Sequence, residues 1–240
     1  MCMLIYAMSD IHGEKEAFED ALSVVDFSRP DTVLVLCGDY FDSRHEHPEF
    51  LTYMREFQES HEGQVVALMG NHEAWLLEHD TPASDPVFLD DMEEALYVDE
   101  KEEPLLRDEK TRRWLSRLPL YYETDSQIFV HAGIDEDAGE YWKLGVEDWY
   151  FYGKYPPTYG TAFEKDIVAG HVGTYQMCGE HRVFWDGESH FFIDGTTEES
   201  KFVPVLKYDT ETEAYTSFKK VGVGTEAPQW LEYAVTPEPR

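Results

Sequence analysis

The sequence predicts an α/β fold in which two mixed β-sheets pack face to face with helices outside them. Short apolar runs recur through about the first 170 residues, and each ends in a cluster of Gly, Asp, Asn or His. Segments of helical period lie between the first of these runs. Beyond His171 the pattern changes to alternating strands joined by polar turns. A βα half followed by a β-rich half gives two sheets, and ligands of such sheets collect at the carboxyl ends of the strands.

In chain order, residues 4–8, 32–37, 64–69, 127–130 and 166–169 read as strands. The first three end at Ser9-Asp10-Ile11-His12-Gly13, Gly38-Asp39-Tyr40-Phe41-Asp42 and Gly70-Asn71-His72-Glu73; the last two end at His131-Ala132-Gly133 and Gly170-His171. A helix over 14–25 places Ala17, Phe18, Ala21, Leu22 and Val25 on one face. A second helix, over 48–60, does the same with Phe50, Leu51, Met54 and Phe57. Residues 182–186, 189–193, 203–209 and 214–221 read as the strands of the second half, with turns at Asp186-Gly187 and 210–213. One domain is expected over 1–221, and then an irregular tail over 222–240 that holds Pro228, Pro237 and Pro239.

An acidic helical insertion is expected at about 78–118. Residues 78–103 carry eleven acidic residues against one lysine, Lys101, and no glycine. The missing glycine excludes the sharp turn of a calcium-binding loop. Residues 107–118 then supply Lys110 and four arginines, with Trp114, Leu115 and Leu118 on the apolar face of an amphipathic helix.

Charge narrows the function. Nineteen Lys and Arg face fifty Asp and Glu, a net charge of −31. Such a body repels phosphate backbones and anionic lipid, so neither a nucleic acid nor a membrane is an expected partner. No apolar stretch approaches the roughly 20 residues of a membrane span. The opening apolar residues have no basic segment before them and reach Ser9-Asp10-Ile11-His12-Gly13 where a cleavage site would fall, so they read as a first strand and not as a leader. The three cysteines, Cys2, Cys37 and Cys178, are sparse and far apart, which is core usage in a reducing compartment. The expected location is cytoplasmic.

Taken singly, each polar cluster has an ordinary structural explanation as a turn or a helix cap. Together, five strand-like runs deliver Asp, Asn or His at the same relative place. Asp10, His12, Asp39, Asn71, His131 and His171 make a set of oxygen and imidazole donors without thiolate, suited to two divalent ions such as Mn, Fe or Zn. A carboxylate shared by two ions about 4 Å apart suits in-line displacement at phosphorus.

The five clusters match, in order, the motif series of the calcineurin-like metallophosphoesterases, and the chain most resembles their phosphoprotein phosphatase branch in its short bacterial and phage form. Trp114-Leu115-Ser116-Arg117-Leu118-Pro119-Leu120 and Ile193-Asp194-Gly195-Thr196 add to the resemblance. It implies an α/β/β/α metallophosphoesterase sandwich and two divalent ions, Mn first, with Fe or Zn as alternatives. It also implies that Asp10 and His12 hold the first ion, that Asp39 bridges, and that Asn71, His131 and His171 complete the second site. His72 would protonate the leaving group, with Asp42 orienting it.

The chain departs from the family at its phosphate clamp. Ser43 stands where the family has an arginine and Arg44 where it has glycine, which makes Arg44 the candidate phosphate-binding residue. The family's second arginine, near a Trp-x-Arg, has Phe151 in its place within Trp149-Tyr150-Phe151; Lys154 and Arg182 are the other candidate cations. The expected function is a phosphoric monoester hydrolase of the serine/threonine protein phosphatase type, acting on a phosphorylated protein. The alternatives are a small-molecule phosphatase or dinucleoside polyphosphate hydrolase, and a non-catalytic metal- or partner-binding module. Intact His72 and Asp42 count against the last.

Overall fold

In the computed structural model, which describes residues 3–42, 49–79, 108–222 and 229–238, the β-strands fall into two mixed sheets. The first contains β1 (Leu4–Met8), β2 (Thr32–Leu36), β3 (Val65–Ala67), β9 (Leu206–Asp209), β10 (Ala214–Val221) and β11 (Gln229–Ala234), in the order β11-β10-β9-β1-β2-β3. The second contains β4 (Tyr121–Glu123), β5 (Gln127–Val130), β6 (Asp166–Ala169), β7 (Phe184–Trp185) and β8 (His190–Phe192), in the order β4-β5-β6-β8-β7. Strands β1, β2 and β3 run parallel, as do β5, β6 and β8, while the outer strands pair antiparallel.

Period-two alternation builds the layers. Along β1, Leu4, Tyr6 and Met8 face the helices, while Ile5 and Ala7 face the second sheet. The outer face of the first sheet packs against α1 (Lys15–Leu22), α2 (Glu49–Ser60), α3 (Asn71–His79) and α4 (Glu109–Leu115). Phe18 of α1 is wholly buried there, edge-on to Phe50, Tyr53 and Phe57 of α2. Between the sheets lie Val35, Phe129, Val168, Phe191 and Leu206. The outer face of the second sheet is covered by Trp142 and by Phe151 of α5 (Trp149–Gly153). Two short helices, α6 (Thr174–Cys178) and α7 (Thr197–Ser200), follow β6 and β8.

The strands expected over 4–8, 127–130, 166–169 and 214–221 form with those bounds, and the others form in shortened versions. The tail departs from expectation. Gln229–Ala234 is a strand, paired antiparallel with β10 from Thr216↔Ala234 to Val221↔Gln229, and Val235 is buried between the sheets. Its side chains are mostly exposed, so no apolar alternation announced it; backbone pairing to a sheet edge forms it. Of the acidic insertion, residues 80–107 lie outside the described residues. Its basic end is helix α4, whose Leu115 is buried and whose Trp114 Nε1 donates to Gln58 at 2.6 Å. Arg55 of α2, 6% exposed, ties the two helices together by donating to Thr111. Among the described residues no helix is long and apolar enough to cross a membrane.

Phe18→Ala should lower unfolding stability by about 3–5 kcal/mol, because the surrounding rings cannot close a cavity of that size. Denaturant unfolding of the parent and the variant measures it.

Candidate metal centre

Each candidate donor follows directly on a parallel strand, so strand register gathers the donors at one edge. Asp10 and His12 follow β1, Asp39 follows β2, Asn71 opens α3 after β3, His131 follows β5 and His171 follows β6. The backbone there is strained. Asp10, His12, Asp39 and His171 all have positive φ, between 49° and 66°. That region is uncommon for residues other than glycine, and it clusters at functional sites.

Close approach between the turns is set by two glycines. A Cβ on Gly70 would meet Asp39 Oδ1 at 2.2 Å, and one on Gly170 would meet Asp10 Oδ2 at 2.1 Å. Glu73, wholly buried, accepts from the backbone N–H of Asp39 at 2.8 Å, of Tyr40 at 2.8 Å and of Gly70 at 3.1 Å. It therefore clamps the second and third turns together. Burial and the Asp39 carboxylate push Glu73 up to about 7, against the pull of its N–H donors.

Asp39, 2% exposed, is the centre. Its Oδ1 accepts from the backbone N–H of His72 at 3.1 Å. Its Oδ2 faces His131 Nε2 at 3.4 Å, His72 Nε2 at 3.8 Å and His12 Nε2 at 4.0 Å. Burial opposes its charge, but His131, His72 and His12 outweigh burial and hold the carboxyl well below the usual range. Two groups of metal-capable donors share it: Asp39 with His12 and His72, and Asp39 with His131 and His171. Asp10 joins the first, with Oδ1 3.7 Å from His12 Nε2. Asn71 joins the second, with Oδ1 2.8 Å from His131 Nε2 and 2.9 Å from His171 Nδ1.

The second group demands a cation. His131 Nδ1 lies 2.7 Å from the Cys37 carbonyl, which can only accept, so Nδ1 carries a proton. A neutral His131 would then aim the lone pair of Nε2 at two oxygen acceptors, Asp39 Oδ2 and Asn71 Oδ1. A second proton or a metal ion between them would satisfy all three. Although burial disfavours its charge, the carboxylate of Asp39 raises metal-free His131 to about 9. His12 behaves alike: burial opposes protonation, but Asp10 and Asp39 raise it to about 10. His171 goes the other way, to about 4, from burial and the charge on His131. The donor set therefore fits two divalent ions.

His72 is 9% exposed and its ring stands edge-on to His12 at 4.9 Å. Burial lowers its pKa; the nearby carboxylates of Asp39 and Asp42 pull the other way. Asp42 is 1% exposed. Two buried carboxylates had no role in the sequence reading. One is Glu73, within Gly70-Asn71-His72-Glu73. The other is Asp194, whose Oδ1 accepts from Thr196 N–H at 2.7 Å and whose carboxyl is raised well above the ordinary range by burial and by the charge of Asp10.

Arg44, with Ser43, lies outside the described residues. Phe151 is buried against Tyr121 and Trp142, which leaves no place for a guanidinium there. Lys154 is buried and donates to the Ile134 carbonyl at 2.6 Å and to Glu136, so it is engaged beneath the His131 loop. Arg182 pairs with Glu180 and Glu238. A cavity of about 410 Å³ opens beside His12, and its cations are Lys15 and Lys201.

The imidazole shifts fix a sign for pH dependence. Free histidine titrates near 6.5. Stability from protonating His12 and His131 is present below about 6.5 and is lost as pH rises through about 9 to 10. The melting temperature of chelator-stripped protein should fall across that window. Stabilisation by added Mn should grow across it, because metal replaces those protons. A flat profile for the stripped protein would contradict the shared-cation geometry.

Residues 3–209 match the model of the calcineurin-like phosphoesterase family. Over 132 residues the chain is 30% identical to a symmetrical bis(5'-nucleosyl)-tetraphosphatase of Chromobacterium violaceum, covering 55% of this chain and 44% of that protein. It spans about half the length of the curated relatives it matches. Among solved structures, the cold-active protein-tyrosine phosphatase of a psychrophilic Shewanella superposes with a TM-score of 0.60 at 19% identity, over 95% of this chain and 80% of that one. A Saccharomyces cerevisiae protein serine/threonine phosphatase does so with a TM-score of 0.54 at 12% identity, over 99% and 81%. At such identities the structural likeness speaks for the fold, while the family match spans most of the sequence and every donor described above. The chain belongs to the calcineurin-like phosphoesterase family.

Proposed function

We propose that the protein is a two-metal phosphohydrolase whose substrate is a dinucleoside polyphosphate. The observation that carries the chemistry is the convergence of two donor groups on the single Asp39 carboxylate. In this reading Asp10, His12 and Asp39 hold one ion, and Asp39, Asn71, His131 and His171 hold the other. Mn is the first candidate, with Fe or Zn as alternatives. When bound, the ions would supply Lewis acidity to the phosphoryl oxygens and lower the pKa of an attacking water.

The chain's own groups do the rest. Asp39 is fixed by the His72 N–H, and Glu73 holds the turns on either side of it, so the donors need little reorganisation. His72 stands beside the shared carboxylate and hands a proton to the departing oxygen, with the Asp42 charge favouring its protonated form. Among the described residues no cation stands in the second arginine's place, because Phe151 fills it with an apolar ring. Binding must then draw on parts of the substrate remote from the reacting phosphorus, which suits a substrate with much structure beyond it.

The similarity to symmetrical bis(5'-nucleosyl)-tetraphosphatase supports this substrate class over a phosphorylated protein. A serine/threonine phosphatase remains the second reading, favoured by the order and wording of the five motifs. Initial rates on a dinucleoside tetraphosphate, a mononucleotide and a phosphoserine peptide, compared side by side, decide between them. The proposal expects the highest kcat/KM on the tetraphosphate; a phosphopeptide preferred by a hundredfold would overturn it.

His72→Asn should leave metal content unchanged and lower turnover of an alkyl phosphate by roughly 10²–10⁴-fold, the usual worth of a general acid. A nitrophenyl phosphate, whose leaving group needs little protonation, should lose less. Equal losses on both substrates would remove His72 as the proton donor.

A further inference from the structure

A second cavity, of about 480 Å³, lies on the β10 side of the mouth between the sheets, and its lining is unlike the rest of this acidic body. Arg182, Lys219 and Lys220 line it in a chain with a net charge of −31; Arg182 pairs with Glu180 and Glu238 and Lys220 with Asp20, which leaves Lys219. Phe202 and Tyr233 supply aromatic walls. Lys219 is exposed, and its Nζ stands 5.7 Å from the centre of the Tyr233 ring with no carboxylate partner among the described residues. Cations beside aromatic faces suit a ligand that is anionic at one end and a flat ring at the other. The volume lies within the usual range for a small-molecule site.

Register places this cavity close to the metal centre. Ala7 of β1 pairs with Leu206 of β9, which pairs with Ser217 of β10. With β10 running in the same direction as β1, Lys219 stands level with Ser9, one residue before Asp10. Two strand spacings separate them, and Asp39 follows β2, one spacing further, about 14 Å in all. On the opposite wall, His181 Nδ1 donates to the Gly195 carbonyl at 2.8 Å, and Gly195 follows Asp194, whose carbonyl accepts from the backbone N–H of Thr174, three residues after His171, at 2.9 Å. One wall is thereby bonded to the loop behind the metal centre. A polyphosphate whose reacting phosphorus lay at Asp39 would extend its far end across about that distance.

We propose that this cavity is a subsite for the remote nucleoside phosphate of the substrate, with Lys219 on its phosphate and Tyr233 and Phe202 against its base. The inference rests on the dinucleoside polyphosphate reading above and adds residues that set its specificity.

Lys219→Ala and Lys219→Arg, assayed as metal-loaded enzyme, test it on two substrates. For a dinucleoside tetraphosphate, Lys219→Ala should raise KM about tenfold, in line with loss of one charge-assisted hydrogen bond, while kcat changes less than twofold. Lys219→Arg should restore most of the loss. KM for nitrophenyl phosphate, too short to reach the cavity, should stay within twofold for both variants. An unchanged KM for the tetraphosphate, or equal losses on both substrates, would overturn the subsite. If the parent cleaves nitrophenyl phosphate but no dinucleoside polyphosphate, the substrate reading above fails by itself. Calorimetric titration with adenosine monophosphate then decides the subsite: weaker binding to Lys219→Ala than to the parent upholds it, and equal or absent binding by both overturns it.

Discussion

A carboxylate that is 2% exposed and faced by three imidazoles is the arrangement to which much of this molecule is adapted. Asp39 cannot keep its charge in the interior without compensating positive charge. In the absence of metal, protons on His12 and His131 supply it, which is why both imidazoles bind protons so tightly. A divalent ion in each donor group would supply it too, since Nε2 of His131 lies beside the oxygens that would share the ion.

Holding acceptors so close together costs conformational energy, and the sandwich provides it. Parallel strands β1, β2 and β3 in one sheet and β5 and β6 in the other end at a common edge, so five turns meet there. Those turns carry four non-glycine residues in the left-handed region and two glycines with no room for a Cβ. Glu73 fastens the second turn to the third through three backbone N–H groups. Apolar layers on both sides of the first sheet, anchored by residues such as Phe18 and Phe129, supply the rigidity against which this strain is held.

The elements nearest the site were the most legible in the sequence, for a physical reason. Buried parallel strands need unbroken apolar runs such as Leu4–Met8, and turns that bring donors together need short polar clusters such as Asp10-Ile11-His12-Gly13. Strand β11 was not legible, because an exposed edge strand is held by backbone pairing and places few side chains in the core. Glu73 and Asp194 stood inside quoted motifs, yet their roles depend on which backbone amides they face, and that is settled only by the fold. The cavity around Lys219 was invisible for a similar reason: Arg182, Phe202, Lys219 and Tyr233 come from four separate segments. The replacement of the family's second arginine, by contrast, was plain from Phe151, and its burial leaves no room for a cation there.

Asp39→Asn tests the sharing of one carboxylate most directly. The substitution keeps the side chain's shape and an oxygen for the His72 N–H, but removes the charge on which both donor groups depend. Metal content would be measured by elemental analysis after equilibration with Mn, together with a calorimetric titration of each protein. The account predicts two ions per chain for the parent and weakened binding at both sites in the variant. A variant that keeps one ion at the parent's affinity would contradict it.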